Sequence, residues 1–196
     1  VDWPVDSSTV RVPADLAGMP VFARDRAFRG YRGFGVAKCG AAFDAGEVHK
    51  TYLALVEGEH PLADGESEII DLPIGPDERK SGRMCVDRVN GKSSQTRIRV
   101  DQRFRGYTLL RCEPLTGRTH QIRVHFQHIG HPLVGDDTYG QRQTRRLKEL
   151  THYEAPRVML HAHKLAFIHP RSGKRLRFEA PLPADFEDAL RFLKTR

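Results

Sequence analysis

Pro114-Leu115-Thr116-Gly117-Arg118-Thr119-His120-Gln121-Ile122-Arg123-Val124-His125 is the stretch that decides the fold. The residues before it, Tyr107 to Cys112, alternate and are β-prone, so they predict a strand. Thr116-Gly117 makes a turn. Thr119 offers a hydroxyl to cap a helix that runs to Ile129 and stops at Gly130. At about 100° per residue, Ile122, Phe126 and Ile129 share one face, which belongs to the core. His120, Arg123 and Gln127 fall on the opposite face, with Arg118 just ahead. A strand therefore delivers two arginines and a histidine to a helix N-terminus, where backbone N–H groups and the dipole favour anions. A surface helix with solvated charges would show the same periodicity, so the pattern alone leaves both meanings open.

Composition bounds the alternatives. The chain has 196 residues, 39% hydrophobic and 29% charged, which suits one ordinary globular domain. No apolar run approaches the roughly 18–20 residues of a membrane helix, and no signal peptide is visible. Cys39, Cys85 and Cys112 are widely spaced and form no CxxC, which disfavours a disulfide framework or zinc knuckle and fits a reducing cytoplasm. A net charge of +7 and a pI near 9.6 suit a polyanionic partner without proving one.

Outward from the central stretch, residues 1–18 carry Trp3-Pro4 and Pro13, which interrupt regular structure. Met19 to Arg24 predicts a short strand, with Pro20 marking an edge or bulge. Arg24, Arg26, Arg29 and Arg32 then alternate with Phe28, Tyr31 and Phe34 among glycines. Such a loop can grip single-stranded nucleic acid by phosphate pairing and stacking, or fold its rings back onto the core. Val36 to Ala45 predicts a helix ended by Gly46. His49 to Val56 predicts a strand apolar on both faces, hence central in a sheet. Glu68 to Leu72 predicts another strand, and Gly75 to Gly82 a charged loop. Met84–Arg88 and Ser94–Asp101 predict a hairpin across Asn90-Gly91. In its second arm Thr96, Ile98 and Val100 point one way, while Arg97, Arg99 and Asp101 point to solvent. Gln141 to Leu150 is a basic exposed loop or short helix. Arg157–Ile168 and Lys174–Glu179 form a further hairpin, and Pro183–Lys194 an amphipathic helix with Phe186, Leu190 and Leu193 inward. The sum is α+β: a mixed, mostly antiparallel bent sheet with a few flanking helices.

GRTHQIRVHFQHIGHPLVGDDTYG, from Gly117 to Gly140, closely resembles the signature of the RluA-type RNA pseudouridine synthases. Three other blocks carry the resemblance. They are Val10 to Asp25, Gly46 to Gly58 (GEVHKTYLALVEG), and Leu160-His161-Ala162-His163 with Phe167, His169-Pro170 and Phe178-Glu179-Ala180-Pro181. The resemblance implies that fold, with a cleft between its halves, over residues 1–196 as one domain without an accessory RNA-binding domain. It implies isomerisation of uridine to pseudouridine in structured RNA, rRNA or tRNA. It further implies no cofactor, no metal, no membrane, and a cytoplasmic monomer.

Family members flip the uridine into a pocket, where an aspartate acts on the sugar or base, an arginine keeps that carboxylate ionised, and a tyrosine packs on the base. Arg123 and Tyr52 match the arginine and the tyrosine. The aspartate belongs to a His-Arg-Leu-Asp block, and its position here is Pro13, with Val10 in place of the histidine and Ala17 in place of a serine. Asp15 is the only acid near enough in sequence to substitute. The expected catalytic set is therefore Asp15, Tyr52 and Arg123. Arg29, Tyr31, Arg32, Arg118, His120, Gln121, Arg142 and Arg145 are expected to contact RNA. Without an anion opposite it, Arg123 would be solvated, paired to a phosphate, or matched by Asp15. The other outcome is an RNA-binding pseudoenzyme that has lost its carboxylate. His120, His125, His128 and His131 crowd one stretch, but no acid or cysteine joins them on one face, so metal binding is not expected. Asp136, Asp137 and Tyr139 are expected to fix the loop after the helix.

Overall fold

A computed structural model describes residues 48–168 and 173–195, the side chains of 150 and 151 excepted, and the backbone of 2–3, 12–13, 19–22 and 28–32. Cα packing divides the chain into two compact units, Val1–Lys50 with His163–Pro183 and Thr51–Ala162 with Ala184–Arg196.

In the first unit, β1 (Asp2–Trp3) pairs antiparallel with β2 (Val12–Pro13), so the proline-marked start does carry a short ladder. β3 (Met19–Phe22) pairs antiparallel with β4 (Phe28–Arg32), with an irregularity in register between Pro20 and Phe22. The expected loop holding Arg29, Tyr31 and Arg32 is thus a strand over 28–32. Alternating large residues and a partner next in sequence outweigh the single Gly30 there. The helix expected over 36–45 lies outside the described residues.

β5 (His49–Glu57) passes from the first unit into the second. Leu53 to Val56 are all buried, as expected of a strand apolar on both faces. One edge of β5 pairs with β10, and on the other edge Leu55 N–H donates to Met159 O at 3.0 Å while Leu55 O accepts from Val134 N–H at 2.9 Å. β6 (Glu68–Asp71), β7 (Ile74–Pro76), β8 (Met84–Val86), β9 (Gln95–Phe104) and β10 (Tyr107–Pro114) follow. Within this unit β5, β10, β9 and β6 lie side by side, each pair antiparallel. On β9, Thr96 and Ile98 are buried while Arg99 and Asp101 are exposed, the alternation expected of a sheet with one wet face.

β8 does not pair with β9. It folds back on β7 in a tight hairpin, Ile74 opposite Val86 and Pro76 opposite Met84. Asn90-Gly91 makes a turn but not the expected hairpin. Asp87 Oδ1 accepts from the N–H groups of Val89 and Asn90, both at 2.9 Å, and a Cβ on Gly91 would stand 2.2 Å from Asp87 O. The side-chain cap closes the turn locally and sends the chain on, because β6 is already β9's partner.

α1 (Gln121–His128) lays Ile122 and Phe126, both fully buried, on the core of Ala54, Val56, Ile98, Leu110 and Cys112. Val124 turns instead to Ile74 and Tyr139, beside Met84 and Val86 of the small hairpin. Gly130, at φ 86°, ends the helix in the left-handed conformation that glycine takes without steric cost. α2 (Gln141–Thr151) is a helix, the second of the two expected alternatives. β11 (Leu160–Ile168) pairs with β12 (Arg175–Glu179) from Lys164–Glu179 to Ile168–Arg175, as expected of that hairpin. α3 (Ala184–Lys194) buries Phe186, Leu190 and Leu193 with Ala189, and Asp185 at its start takes Arg157 in a two-point ion pair at 2.7 and 2.9 Å.

Candidate active site

The mouth of α1 is built differently from the expected threonine cap. His120, not Thr119, is the capping residue; it sits at φ 55°, ψ 20° and makes no side-chain cap. Gln121 does the work from inside the helix. Its Oε1 accepts from Thr116 Oγ1 at 2.7 Å and from Arg118 N–H at 3.0 Å, while its Nε2 donates to Gln95 O at 2.9 Å and Thr96 Oγ1 at 3.0 Å. That amide is 1% exposed with four bonds made. It leaves no group for RNA, so Gln121 joins β9 to α1 rather than contacting a ligand.

The same chain of bonds continues inward. Thr96 Oγ1, having accepted from Gln121, donates its hydroxyl to His125 Nδ1 at 2.9 Å, and His125 Nε2–H donates to Leu72 O at 2.9 Å. Burial holds His125 below its usual pKa, consistent with a neutral ring locked in one tautomer. His131 Nδ1 bonds Glu57 O at 2.8 Å, and His128 is exposed at the helix end. These histidines are structural links and surface groups dispersed along the helix and just beyond it.

Arg123 leaves the opposite face of the helix, and its anion is Asp136. Nε and Nη2 reach the two carboxylate oxygens, each at 2.8 Å. Asp136 is fully buried, and its Oδ1 also accepts from the N–H groups of Thr138 and Tyr139 at 3.0 Å. The missing anion that left Arg123 to water, a phosphate or Asp15 in the sequence reading is therefore present as Asp136, inside the same motif, while Asp15 lies outside the described residues. Desolvation pulls the guanidinium pKa down, but the hydrogen bonds and charge of Asp136, with Tyr139, together hold it above its usual value. The Arg123 guanidinium also lies 4.9 Å from the centre of the Tyr139 ring, as does that of Arg83. Tyr139 Oη accepts from Met84 N–H at 3.0 Å and meets His120 Nδ1 at 2.9 Å. Which of the two donates at that contact depends on the imidazole tautomer. Burial, then the Arg123 charge, lower the His120 pKa and keep that ring neutral. Aspartate, arginine, tyrosine and histidine thus form one block around the helix mouth, as the loop-fixing role expected of Asp136 and Tyr139 requires.

The remaining expected residues distribute as follows. Tyr52, opposite Cys112 on β5, packs on the core that carries Ile122 and Phe126, and burial pushes its hydroxyl up to about 12. Arg118 donates from Nε to Ser93 O at 3.1 Å. Arg142 and Arg145 are exposed on α2. Arg29, Tyr31 and Arg32 lie on β4, and their side chains are outside the described residues, as is Asp15. Nothing in the spacing singled out Arg83; it reaches the site only because β8 folds back on β7.

The family model for RNA pseudouridylate synthase matches residues 31–128, half of the chain and all of the stretch Pro114–His125. The chain belongs to the RNA pseudouridylate synthase family. Among curated relatives, an uncharacterized RNA pseudouridine synthase of Chloroflexus aurantiacus is 41% identical over 95% of this chain and 53% of its own length. The ribosomal large subunit pseudouridine synthase C of Vibrio cholerae is 38% identical over 92% of this chain and 53% of its own. The chain therefore spans about half the length of these relatives. Human RNA pseudouridylate synthase domain containing 1 superposes with a TM-score of 0.57 at 25% identity, covering 80% of this chain and 69% of that one. The α+β pseudouridine synthase fold expected from the sequence is the fold observed.

Proposed function

We propose that this pseudouridine synthase-family chain acts on structured RNA, rRNA or tRNA, as a uridine-to-pseudouridine isomerase. The carrying observation is the helix-mouth block, where Arg123 is fixed by Asp136 and faced by Tyr139 within the motif the family shares. Tyr52, half-buried and with its proton held firmly, is suited to pack on a base. Asp15 would supply the carboxylate, and Arg29, Tyr31, Arg32, Arg118, His120, Arg142 and Arg145 the RNA contacts. We take residues 1–196 as one such domain, a cytoplasmic monomer needing neither metal nor cofactor. Among the described residues no helix is long and apolar enough to cross a membrane.

One observation favours the second outcome, an RNA-binding pseudoenzyme. Pro13 holds the family's acid position, and Asp136 cannot stand in for it. Asp136 is fully buried and held by four hydrogen bonds, two from Arg123 and two from backbone N–H groups, which fixes it as a counter-ion out of reach of a sugar or a base. The deciding experiment incubates the protein and its Asp15→Asn variant with uridine-labelled cellular RNA and measures pseudouridine by nucleoside chromatography. Product that disappears in the variant supports the isomerase with Asp15 as its acid. Product that survives removes Asp15 from the mechanism. RNA binding without product establishes the pseudoenzyme.

A further inference from the structure

A cavity of about 440 Å³ opens beside the helix-mouth block, between the tip of the β7–β8 hairpin and the first turn of α2. That is within the roughly 300–1,000 Å³ of small-molecule sites, but its lining is charged rather than apolar. Lys80, Arg83 and Arg142 face it with one acid, Asp137. Tyr139 forms part of its wall, and the same ring carries the Arg123 guanidinium.

The hairpin tip is ordered by its own bonds. Asp77 N–H donates to Arg83 O at 2.9 Å, Lys80 N–H to Asp77 O at 3.1 Å, and Asp77 Oδ1 accepts from Arg79 N–H at 3.0 Å. Gly82, at φ 75°, takes the left-handed turn that closes it. Arg83 is only loosely engaged by Asp77, at 3.7 Å. Lys80 and Arg142 are exposed and make no ion pair among the described residues. The first turn of α2 carries no acidic side chain to oppose an anion. Cations gathered on a fixed turn and the facing helix start cost mutual repulsion, and a bound anion relieves it.

We infer that this cavity holds a backbone phosphodiester of the RNA strand next to the target nucleotide, gripped by Lys80, Arg83 and Arg142. The inference rests on the RNA-binding function proposed above and extends it to the β7–β8 hairpin. A phosphate there lies one aromatic ring away from Arg123, so it fixes the strand's position without touching the reacting base. A base-reading pocket would need apolar or stacking surfaces open to the ligand, and Tyr139 is occupied by two guanidiniums.

The test measures binding of a fluorescein-labelled RNA stem-loop by anisotropy across a salt series, with melting curves run alongside. Three proteins are compared: wild type, Lys80→Ala/Arg142→Ala, and the control Arg99→Ala/Arg105→Ala. The control removes the same charge from exposed positions on β9 and the following turn. The cavity variant is expected to lose about 1.5–2 from the slope of log K against log salt, with the control unchanged. Equal losses in both variants would mean diffuse attraction and overturn the inference. An unchanged slope in the cavity variant, with wild-type binding intact, would overturn the inference alone and leave RNA binding standing. Wild type that binds no RNA would overturn both.

Discussion

Asp136 and Glu57 are two acids taken out of water in the same unit, and the chain treats them in opposite ways. Asp136, in the connection between α1 and α2, is fully buried and surrounded by donors: Arg123 at two points and two backbone N–H groups. Glu57, at the end of β5, has an oxygen, Oε1, out of contact with water and without a hydrogen-bond partner. Burial pushes its pKa up to about 7, with the Arg146 charge pulling the other way. Burial costs a carboxylate in both places, and more at the fully buried Asp136 than at the half-buried Glu57. Donors convert one carboxylate into a fixed anion that positions a cation, and their absence makes the other an acid poised near neutrality. A buried charge is evidence of design only when its partners can be named.

The largest effect expected is at Asp136. Asp136→Asn keeps the shape but leaves the Arg123 guanidinium, its side chain 17% exposed, without a counter-charge. Urea unfolding should show a loss of about 3–5 kcal/mol, as when one partner of a buried ion pair is removed. Adding Arg123→Met should return much of that loss, since the stranded cation is then gone as well. A loss below about 1 kcal/mol for Asp136→Asn would put the pair in the class of exposed bridges and collapse the contrast with Glu57.

Gln121 extends the same contrast to an uncharged group. Gln121→Ala would strand Arg118 N–H and the Thr116 hydroxyl proton and break the run of bonds to Thr96 and His125, while Gln95 C=O keeps the N–H of Leu115. The expected cost is about 2–3 kcal/mol in the same unfolding experiment. RNA affinity per folded molecule should be unchanged. A stable variant with weakened RNA binding would restore the ligand-contacting role that its place in the sequence suggests.

These two residues also show what could be read before the structure. The strand–turn–helix frame, the burial of Ile122 and Phe126, the two-faced β5 and the inward face of α3 all follow from period and polarity, and each is present. Periodicity reports which side of an element is wet. It does not report which polar group satisfies which, and so Gln121 appears as a ligand contact when it is a buried joint. The Asn90-Gly91 hairpin fails for a related reason: a turn signal says that the chain reverses locally, not which strand it returns to. β9 already had β6 and β10 on its two edges, so β8 could pair only with β7. Asp136 is four residues from the end of the quoted family signature, yet its bond to Arg123 spans 13 positions and needs α1's C-terminal turn to bring the two together. Arg83 and Lys80 carry no local signal at all, because their place beside Tyr139 depends on the β7–β8 pairing.

The smallest effect separates Glu57 from the histidines. A folded-state pKa near 7 against an ordinary 4.5 means that the folded protein holds a proton that the unfolded chain has released between those values. Glu57 therefore favours folding below pH 4.5, and that support is lost as pH rises through 7. His60, lowered by burial and by the His131 ring 4.9 Å away, and the buried His125 work in the other direction. The unfolded chain protonates them first, so they destabilise the fold as pH falls below about 6.5. Wild-type stability alone mixes the two slopes. The difference between wild type and Glu57→Gln isolates the acid, because the histidines are common to both. Glu57→Gln should melt higher than wild type at pH 8, where it removes a poorly solvated anion, and the gain should vanish by pH 5, where Glu57 is protonated. Arg146 is exposed and moderates the gain rather than cancelling it. An equal shift at both pH values would mean that Glu57 is neutral or well solvated throughout, and that donors, not burial, never distinguished the two carboxylates.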